Sequence, residues 1–327
     1  MPQTASQVKS MSQRVVIGHR SVSPEDPGIK VLLDAGLEVT AHPHFNEPEA
    51  QADLERCDGL IVSLQPIDGP RLDRMPNCRV VTRLGVGYDN IDVPAATERG
   101  VRITYVPDYG VHEVSTHAIT LLLVMARNME SLLKASAEGR WDYGAMGTVQ
   151  RIQDQTLGVL GLGRIGHQTA LKGLGLGMRT LGYDPVIPDE DIRATGIEPA
   201  DMDRVLAESD YISLHVPSMP ETRHIINTEA LAAMKPTARI INTARGPLID
   251  EEALLAAVRS GTIAGAALDV FETEPPPPDH PLLHEPNVIV TPHAAWYSEA
   301  AKTDMQVKAS QDVVNVLSGN EPVYPLN

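Results

Sequence analysis

One stretch of the chain, residues 156–184, restricts the possible folds more than any other. It opens with a short apolar run at 156–160, which predicts a buried strand, and the sequence GLGRIG follows at 161–166. The next residues suit a helix, and a second apolar run at 179–183 ends on Asp184. A strand, a glycine-rich turn, a helix, a strand and an acid in this order are typical of a dinucleotide-binding site.

Each glycine of this turn has a physical reason. Gly161 permits the tight turn, and Gly163 lets the backbone approach a pyrophosphate, because a side chain there would collide with it. Gly166 lets the helix lie close to the sheet. The start of the helix offers unpaired N–H groups and the positive end of its dipole to the phosphates. We also expect Arg164 and Ile165, within the same motif, to bind the cofactor.

The acid at the end of the second strand selects the cofactor. Asp184 lies eighteen residues after Gly166, where its carboxylate can accept hydrogen bonds from the adenosine ribose hydroxyls. The same negative charge would repel the 2′-phosphate of NADP. The sequence therefore predicts NAD as the cofactor.

The length and charge of the chain limit its organisation and its partners. With 327 residues and 42% hydrophobic content, the chain can bury two cores. Lys and Arg total 27 against 43 for Asp and Glu, and the net charge of −16 argues against nucleic acid or an anionic membrane surface as a partner. A local arginine can still bind an anionic small molecule.

Nothing in the sequence indicates secretion, a membrane span or a metal site. No run approaches the ~18–20 apolar residues that a span needs. The first thirteen residues are polar, lack the apolar core of a signal peptide and predict a loose tail. Cys57 and Cys78 fit neither a disulfide framework nor a metal-type spacing, so we expect them to pack as small apolar residues. These features predict a cytoplasmic protein.

Residues 14 to about 105 predict an α/β unit of their own. Apolar runs alternate with helical stretches, which implies parallel strands joined by crossover helices. The glycine-rich segment of this unit, RLGVGYDNID at 83–92, follows a strand. Its backbone could form an anion-binding concavity or only a tight turn that ends the strand. The expected strands are 14–18, 37–41, 58–62, 79–82 and 101–104, with a helix at 28–35.

A boundary near Pro107 precedes a long apolar helix, which is expected from Val111 to about Lys134. A helix that is apolar on all sides is buried against another domain or another subunit. An irregular excursion with Trp141 and Tyr143 follows. The apolar surface of these segments predicts a homodimer.

After Asp184, strand and helix signals alternate again. With the two strands that flank the glycine turn, the later strands make six, the size of a complete dinucleotide-binding sheet. A last helix at about 298–317 is expected against the first unit, so the chain would cross between domains near Pro107 and Ala295. The later strands are expected at 210–214, 238–242, 263–268 and 288–290, with helices at 228–234 and 250–259.

Three strand ends in this second unit carry groups suited to catalysis. Arg245 follows one strand, Asp269 and Glu274 follow the next, and His293 follows the last. Taken singly, each has an ordinary interpretation, such as a surface ion-pair partner, a solvated loop acid or a core histidine. Ligands bind at the carboxyl ends of parallel strands, so these residues together favour a catalytic set above a nucleotide.

Five motifs resemble those of the D-isomer-specific 2-hydroxyacid dehydrogenases, over essentially the full length of the chain. They are GVGYDNID at 85–92, GLGRIG at 161–166, NTARG at 242–246, EP at 274–275 and TPH at 291–293. The sequence HAAWYSE at 293–299 is closer to the C-terminal-binding-protein branch. That branch includes transcriptional corepressors and uncharacterised bacterial dehydrogenases.

This resemblance implies two Rossmann-like, doubly wound α/β domains. An NAD-binding Rossmann domain at 108–296 would be inserted into a discontinuous, flavodoxin-like substrate-binding domain made of 1–107 and 297–327. The implied activity is that of an NAD-dependent D-2-hydroxyacid dehydrogenase, which transfers hydride between NAD(H) and a small 2-hydroxy or 2-keto acid.

The resemblance also assigns the site residues, with Arg245, Glu274 and His293 as the catalytic set. His293 can protonate the keto oxygen, since an imidazole has an unperturbed pKa of ~6.5. Glu274 would orient His293 and favour the imidazolium, and Arg245 would hold the substrate carboxylate and polarise the carbonyl. The amides of Val86 and Gly87 would bind the other side of that carboxylate. The cofactor cleft would also include Val216, Thr243, Ala244, Arg245, Asp269 and His293.

Trp296 is a bulky aromatic residue at a position where many family members have a small one. It favours a substrate with an apolar or sulfur-bearing tail and makes phosphoglycerate a poor candidate.

Two other functions stay open at this point. An NAD(H)-sensing, corepressor-like binding protein would close on the cofactor and present a groove to a peptide. The catalytic set does not exclude this function, because that branch keeps the same residues. A formate- or phosphite-type oxidoreductase is weaker, because formate enzymes carry glutamine in the role of Glu274.

Overall fold

The computed structural model describes residues 12–18 and 23–327, so most of the predicted N-terminal tail lies outside the described residues. The chain forms two compact units, Met1–Gly110 with Ser298–Asn327 and, separately, Val111–Tyr297. Each unit contains one parallel sheet, which confirms the predicted α/β class with two doubly wound sheets.

The first unit is built on a five-stranded parallel sheet. Its strands are β1 (Arg14–Gly18), β2 (Glu38–Ala41), β3 (Gly59–Val62), β4 (Val80–Arg83) and β5 (Arg102–Thr104), and its first helices are α1 (Pro27–Asp34), α2 (Pro48–Leu54), α3 (Gly69–Leu72) and α4 (Val93–Glu98). The strand order is β2-β1-β3-β4-β5. Val16, Leu60, Val81 and Ile103 are fully buried in one core, which explains the nearly continuous apolar runs of these strands.

The second unit is built on a seven-stranded parallel sheet. Its strands are β6 (Thr156–Leu160), β7 (Arg179–Tyr183), β8 (Glu198–Pro199), β9 (Tyr211–Leu214), β10 (Arg239–Asn242), β11 (Gly265–Leu268) and β12 (Val288–Val290). Its helices are α5 (Val111–Ala126), α6 (Met129–Ala137), α7 (Arg164–Gly175), α8 (Asp189–Ala194), α9 (Met202–Glu208), α10 (Thr228–Ala233) and α11 (Glu251–Ser260), with short 3-10 turns at Tyr143–Met146, Ile152–Asp154, Gly246–Leu248 and Pro281–His284.

The strand order of this sheet, β12-β11-β10-β9-β6-β7-β8, creates a switch point. β6 pairs with β9 although β7 and β8 lie between them in the sequence, so the winding reverses there. A crevice forms at the carboxyl ends of strands at such a point, and this is where α/β sheets bind ligands.

Two predictions about this unit are wrong. The single helix expected from Val111 to about Lys134 is broken at Asn128, which adopts a left-handed conformation with φ 42°. Asparagine tolerates this conformation, and the Asn128 side-chain amide donates to the Met146 carbonyl at 3.0 Å. The sheet has seven strands rather than the expected six. The additional strand, β8, was not predicted because its two residues are too few to form an apolar run.

The last helix of the chain, α12 (Glu299–Leu317), belongs to the first unit. The Ser298 hydroxyl caps it by accepting from the Ala301 amide at 3.0 Å. A Cβ atom at Gly28 of α1 would lie 2.6 Å from the Gln306 carbonyl oxygen, so glycine is what allows α1 and α12 to pack this closely. Within the described residues, no helix combines the length and apolar character needed to cross a bilayer.

Candidate active site

The glycine turn after β6 has the geometry of a phosphate-binding loop. Gly161 has φ +91°, and a Cβ atom there would lie 2.7 Å from backbone atoms of His215. A Cβ atom at Gly166 would lie 1.9 Å from the Gly161 carbonyl oxygen, so α7 approaches the turn closely only because this residue is glycine. At Gly163 a Cβ atom would meet no other atom within 4 Å, so this backbone borders open space.

The start of α7 supplies the charge that a pyrophosphate needs. Gly163 is the N-cap residue, and Arg164 and Ile165 begin a helix of 12 residues. The first N–H groups of a helix have no partner within it, and the helix dipole places partial positive charge there. Open space beside an unobstructed helix start fits a dinucleotide.

Asp184, at the end of β7, ties the glycine turn to the neighbouring strand. Its Oδ2 accepts from the Leu162 amide at 2.8 Å, and its Oδ1 accepts from the Val186 amide at 2.9 Å. The Ile187 amide also donates to Oδ1, at 3.3 Å. A carboxylate has about four acceptor sites, so one remains for a ribose hydroxyl. The sequence indicated only the ribose contact, whereas the structure adds a role in shaping the turn.

The loops after β11 and β12 bring Glu274 and His293 together. His293 Nδ1 lies 2.6 Å from Glu274 Oε2, and the other carboxylate oxygen accepts from the Phe271 amide at 3.0 Å. Their side chains are 31% and 23% exposed, so the pair is reachable from solvent. Burial raises the pKa of Glu274, but hydrogen bonds and the nearby His293 and Arg245 outweigh it, so the pKa is lower than usual.

Arg245 lies in the loop after β10, which is stabilised by hydrogen bonds to the Asn242 side chain. The Asn242 side chain donates to the Arg245 carbonyl at 2.8 Å and accepts from the Ala244 amide at 3.0 Å. A Cβ atom at Gly246 would lie 1.9 Å from the Phe271 carbonyl carbon, so this loop touches the backbone that leads to Glu274. The motif NTARG therefore places an arginine within electrostatic range of the Glu274 carboxylate.

Asp269 organises the turn that carries His293. The carboxylate of Asp269 is buried and accepts from the Thr291 hydroxyl at 2.5 Å and from the Ala294 and Ala295 amides at 2.9 Å each. The His293 amide donates to the Asp269 carbonyl at 2.8 Å. These bonds hold His293 at φ +52°, a left-handed conformation that a non-glycine residue rarely adopts.

The predicted lining of the cofactor cleft lies at the ends of β9 and β10. Val216 and Thr243 are buried, and Ala244 is partly exposed. Next to Val216, burial lowers the pKa of His215 to about 3, so its imidazole is neutral at physiological pH. Trp296, after His293, is half-buried and packs edge-to-face on Tyr297 with ring centroids 5.6 Å apart.

The glycine-rich loop of the first unit forms around a buried arginine. Gly85 has φ +128°, and a Cβ atom there would lie 1.9 Å from Nη1 of Arg83. The Gly85 amide donates to the Arg83 carbonyl at 3.0 Å, so this residue makes the tight turn. Val86 and Gly87 are half-buried, and within the described part of the chain neither amide donates to a backbone carbonyl.

Three residues of functional interest, Arg83, His215 and His117, were not predicted from the sequence. Arg83 ends a buried strand, and an arginine in an otherwise apolar run was the available signal. His215 directly follows β9. His117 lies within the apolar helix α5, and its Nε2 is 3.1 Å from the Thr291 hydroxyl. Among the described residues, no group of three or more His, Cys, Asp or Glu side chains is arranged to hold a metal ion.

Comparison with known proteins agrees with this geometry. The sequence pattern of the D-isomer specific 2-hydroxyacid dehydrogenase NAD binding domain matches residues 119–295. A glyoxylate reductase of Korarchaeum cryptofilum is 39% identical over 287 residues, which cover 86% of each chain. A D-3-phosphoglycerate dehydrogenase of Methanocaldococcus jannaschii is 39% identical over 296 residues, covering 90% of this chain and 56% of that protein.

The comparison with solved structures agrees with the sequence comparison. The structure of a D-lactate dehydrogenase from Aquifex aeolicus, complexed with NAD and lactic acid, superposes with a TM-score of 0.85. It is 28% identical, and the match covers 94% of this chain and 96% of that one. The two doubly wound domains inferred from the motifs are therefore a shared architecture.

Proposed function

Because the chain belongs to the D-isomer-specific 2-hydroxyacid dehydrogenase family, and is an NAD-dependent oxidoreductase of CH–OH groups, we propose that it reduces a 2-keto acid with an apolar side chain to the D-2-hydroxy acid. The observation that carries this proposal is the 2.6 Å contact between His293 and Glu274, with Arg245 on the neighbouring strand end.

His293 is the proposed proton donor to the keto oxygen. Its Nδ1 is engaged by Glu274, which leaves Nε2 to face the substrate. The lowered pKa of Glu274 keeps that carboxylate ionised near neutral pH, and its charge favours the imidazolium form of the ring. The nicotinamide, when bound, supplies the hydride for the carbonyl carbon.

Arg245 is the proposed substrate anchor. A guanidinium can donate two parallel hydrogen bonds to a carboxylate, and its fixed charge also polarises the adjacent carbonyl. The proposed roles of the Val86 and Gly87 amides as carboxylate donors rest on the family resemblance and on their half-buried turn, in which neither amide donates to a described backbone carbonyl.

We propose that Gly161, Gly163, Arg164, Ile165 and Gly166 bind the NAD pyrophosphate and that Asp184 binds the adenosine ribose. The open space at Gly163 and the fixed carboxylate of Asp184 support this assignment. Val216, Thr243, Ala244 and Asp269 are proposed to line the rest of the cofactor cleft.

The proposed substrate class follows from Trp296. A half-buried indole beside the catalytic histidine favours an apolar or sulfur-bearing tail over a phosphorylated one. The test is NADH oxidation with a panel of 2-keto acids that differ only in the tail. Faster reduction of phosphohydroxypyruvate than of 4-methylthio-2-oxobutyrate would contradict the proposed class.

A second candidate is an NAD(H)-sensing binding protein, which the HAAWYSE sequence at 293–299 favours. Placement in the C-terminal-binding-protein branch is part of this proposal. The same keto-acid panel separates the two candidates, because a binding protein would bind NADH without appreciable turnover of any keto acid.

We also propose a cytoplasmic homodimer. The central apolar residues of α5, such as Leu121 and Leu122, are buried within their own unit, so they leave no surface for a partner. The surface that favours association is formed by Leu133, Trp141 and Tyr143, which are 64%, 100% and 88% exposed. Light scattering that finds only monomers at micromolar concentration would exclude the dimer.

A further inference from the structure

His117 has a contact that the catalytic assignment does not use. It lies on α5, and its Nε2 is 3.1 Å from Oγ1 of Thr291. The same nitrogen is 3.8 Å from Oδ1 of Asp269. His117 therefore faces the network that shapes the turn carrying His293.

The direction of these hydrogen bonds follows from the number of protons available. A threonine hydroxyl has one proton, and Thr291 donates it to Asp269 at 2.5 Å. Toward His117, the Thr291 oxygen can then act only as an acceptor. His117 must carry its proton on Nε2, either as the neutral tautomer or as the imidazolium.

We infer that His117 is a positioning residue for the catalytic turn, acting on His293 through Thr291 and Asp269; this rests on the proposed catalytic role of His293. The Nε2–H group of His117 fixes the Thr291 hydroxyl so that its proton points to Asp269. Asp269 in turn accepts the Ala294 and Ala295 amides that close the turn.

This link has a strained residue to hold in place. His293 at φ +52° has a conformation that a non-glycine residue rarely adopts and that persists only when its surroundings enforce it. Without the His117 contact, the Thr291 hydroxyl is free to rotate, and Asp269 loses one of its three donors for part of the time. The His293 ring then meets Glu274 less often.

His117 is also accessible from outside. It lines a cavity of about 370 Å³ together with His112, Glu113 and Tyr297. The titratable groups around it are thus Asp269 after β11, His112 and Glu113 on its own helix, and Tyr297 after the catalytic turn. Either protonation state of His117 retains the Nε2–H donor, so the link persists across the working pH range.

The kinetic experiment compares His117→Leu, His117→Gln and His112→Leu in the full chain. His117→Leu should lower kcat about tenfold, the scale of one hydrogen bond lost from a catalytic network, with little change in either KM. His117→Gln keeps a donor at a similar reach and should restore most of the rate. His112→Leu makes the same chemical change five residues earlier on α5, in the same cavity, and should leave kcat unchanged.

A double-mutant cycle tests whether His117 acts on His293 through Thr291. If His117 acts through the Thr291 hydroxyl, adding Thr291→Val to His117→Leu should cost little more than the larger single change. Independent losses that add in full, or an unaltered kcat in His117→Leu, would overturn the inference.

A spectroscopic readout separates this inference from the proposed function, because it requires no turnover. In protein labelled with ¹³C at histidine Cε1, the His293 signal is identified by its absence in His293→Ala. Its titration midpoint should move to lower pH in His117→Leu, but not in His117→Gln or His112→Leu, since a looser turn weakens the contact with Glu274. A midpoint unchanged in His117→Leu, or moved equally in His112→Leu, would contradict a positioning role even if no keto acid is turned over.

Discussion

The turn after β6 and the turn after β12 both place a residue in the left-handed region, Gly161 at φ +91° and His293 at φ +52°. The first turn uses glycine because a Cβ atom at Gly161 would meet backbone atoms of His215, and the backbone at Gly163 in the same turn borders open space for a ligand. The second uses histidine, whose side chain is the proposed proton donor, and buried Asp269 holds the strained backbone. We therefore propose that the two turns separate cofactor binding from proton transfer, so that the two functions respond to different mutations.

The largest expected effect lies on the chemical side of this comparison. His293→Ala should lower kcat for keto-acid reduction by at least ~10²-fold, the usual scale for losing a general acid. The NADH dissociation constant, measured by fluorescence titration, should be nearly unchanged, because the proposed pyrophosphate and ribose contacts lie at other strand ends. Full activity in this variant would remove the mechanism.

Arg245→Lys should act mainly on substrate binding. An ammonium keeps the charge but loses the forked donor pair, so the KM for the keto acid should rise by roughly tenfold or more. Steady-state kinetics at saturating NADH measures this change. An unaltered KM would show that Arg245 does not hold the carboxylate.

Substitutions of Asp184 test its proposed contact with the adenosine ribose of the cofactor. Asp184→Ala should raise the KM for NADH about tenfold and narrow the preference over NADPH, because the ribose contact and the repulsion of a 2′-phosphate are both lost. Asp184→Asn is the matched control: it keeps an acceptor for the Leu162 amide but removes the charge, so the preference should narrow with less harm to NADH binding. Equal kcat/KM for NADH and NADPH in the unaltered protein would refute the assignment.

The mildest effect is expected for Glu274→Gln, where His293 keeps a hydrogen-bond partner but loses a negative charge. Because the pKa of Glu274 is lowered, the carboxylate is ionised throughout the range in which an imidazole titrates. Its removal destabilises the imidazolium, so the proton is lost at lower pH. The alkaline fall-off of kcat/KM should therefore move downward, and a pH profile that coincides with that of the wild type would exclude Glu274 from the mechanism.

The same carboxylate has a predictable effect on stability. A lowered folded-state pKa means that Glu274 stabilises the fold above its unfolded-state pKa, and that this contribution is lost as the pH falls through the folded-state value. Glu274→Gln should therefore show less loss of stability on acidification than the wild type.

The sequence predicted the fold where local patterns decide it. The apolar runs on each side of the 161–166 turn and the acid Asp184 identified two adjacent strands of the second sheet, because strand, turn and helix signals are all local there. The break at Asn128 was missed; the hydrogen bond that its side chain donates there goes to Met146, eighteen residues away, which no local pattern indicates. The two residues of β8 are too few to show a period.

The candidate site also contains some residues that local sequence patterns predict and some contacts that they do not. Parallel strands share one edge, so residues directly after the strands, such as Arg245 and His293, could be grouped from the sequence. The contact between His117 and Thr291 spans 174 residues and joins a helix to a strand end, so no periodicity indicates it. The threefold use of the Asp269 carboxylate is likewise visible only once the turn has folded around it.

The proposal that the turn after β6 binds the cofactor and the turn after β12 transfers the proton is tested most directly in two variants, Gly163→Ala and His293→Ala. The NADH dissociation constant and kcat are measured side by side in both. A Cβ atom at Gly163 meets no protein atom within 4 Å, so that variant should fold normally and fail only where the pyrophosphate must approach. The account predicts that Gly163→Ala weakens NADH binding about tenfold and retains most of kcat at saturating NADH, whereas His293→Ala binds NADH normally and loses at least ~10²-fold in kcat. Normal NADH binding in Gly163→Ala, or impaired NADH binding in His293→Ala, would contradict it.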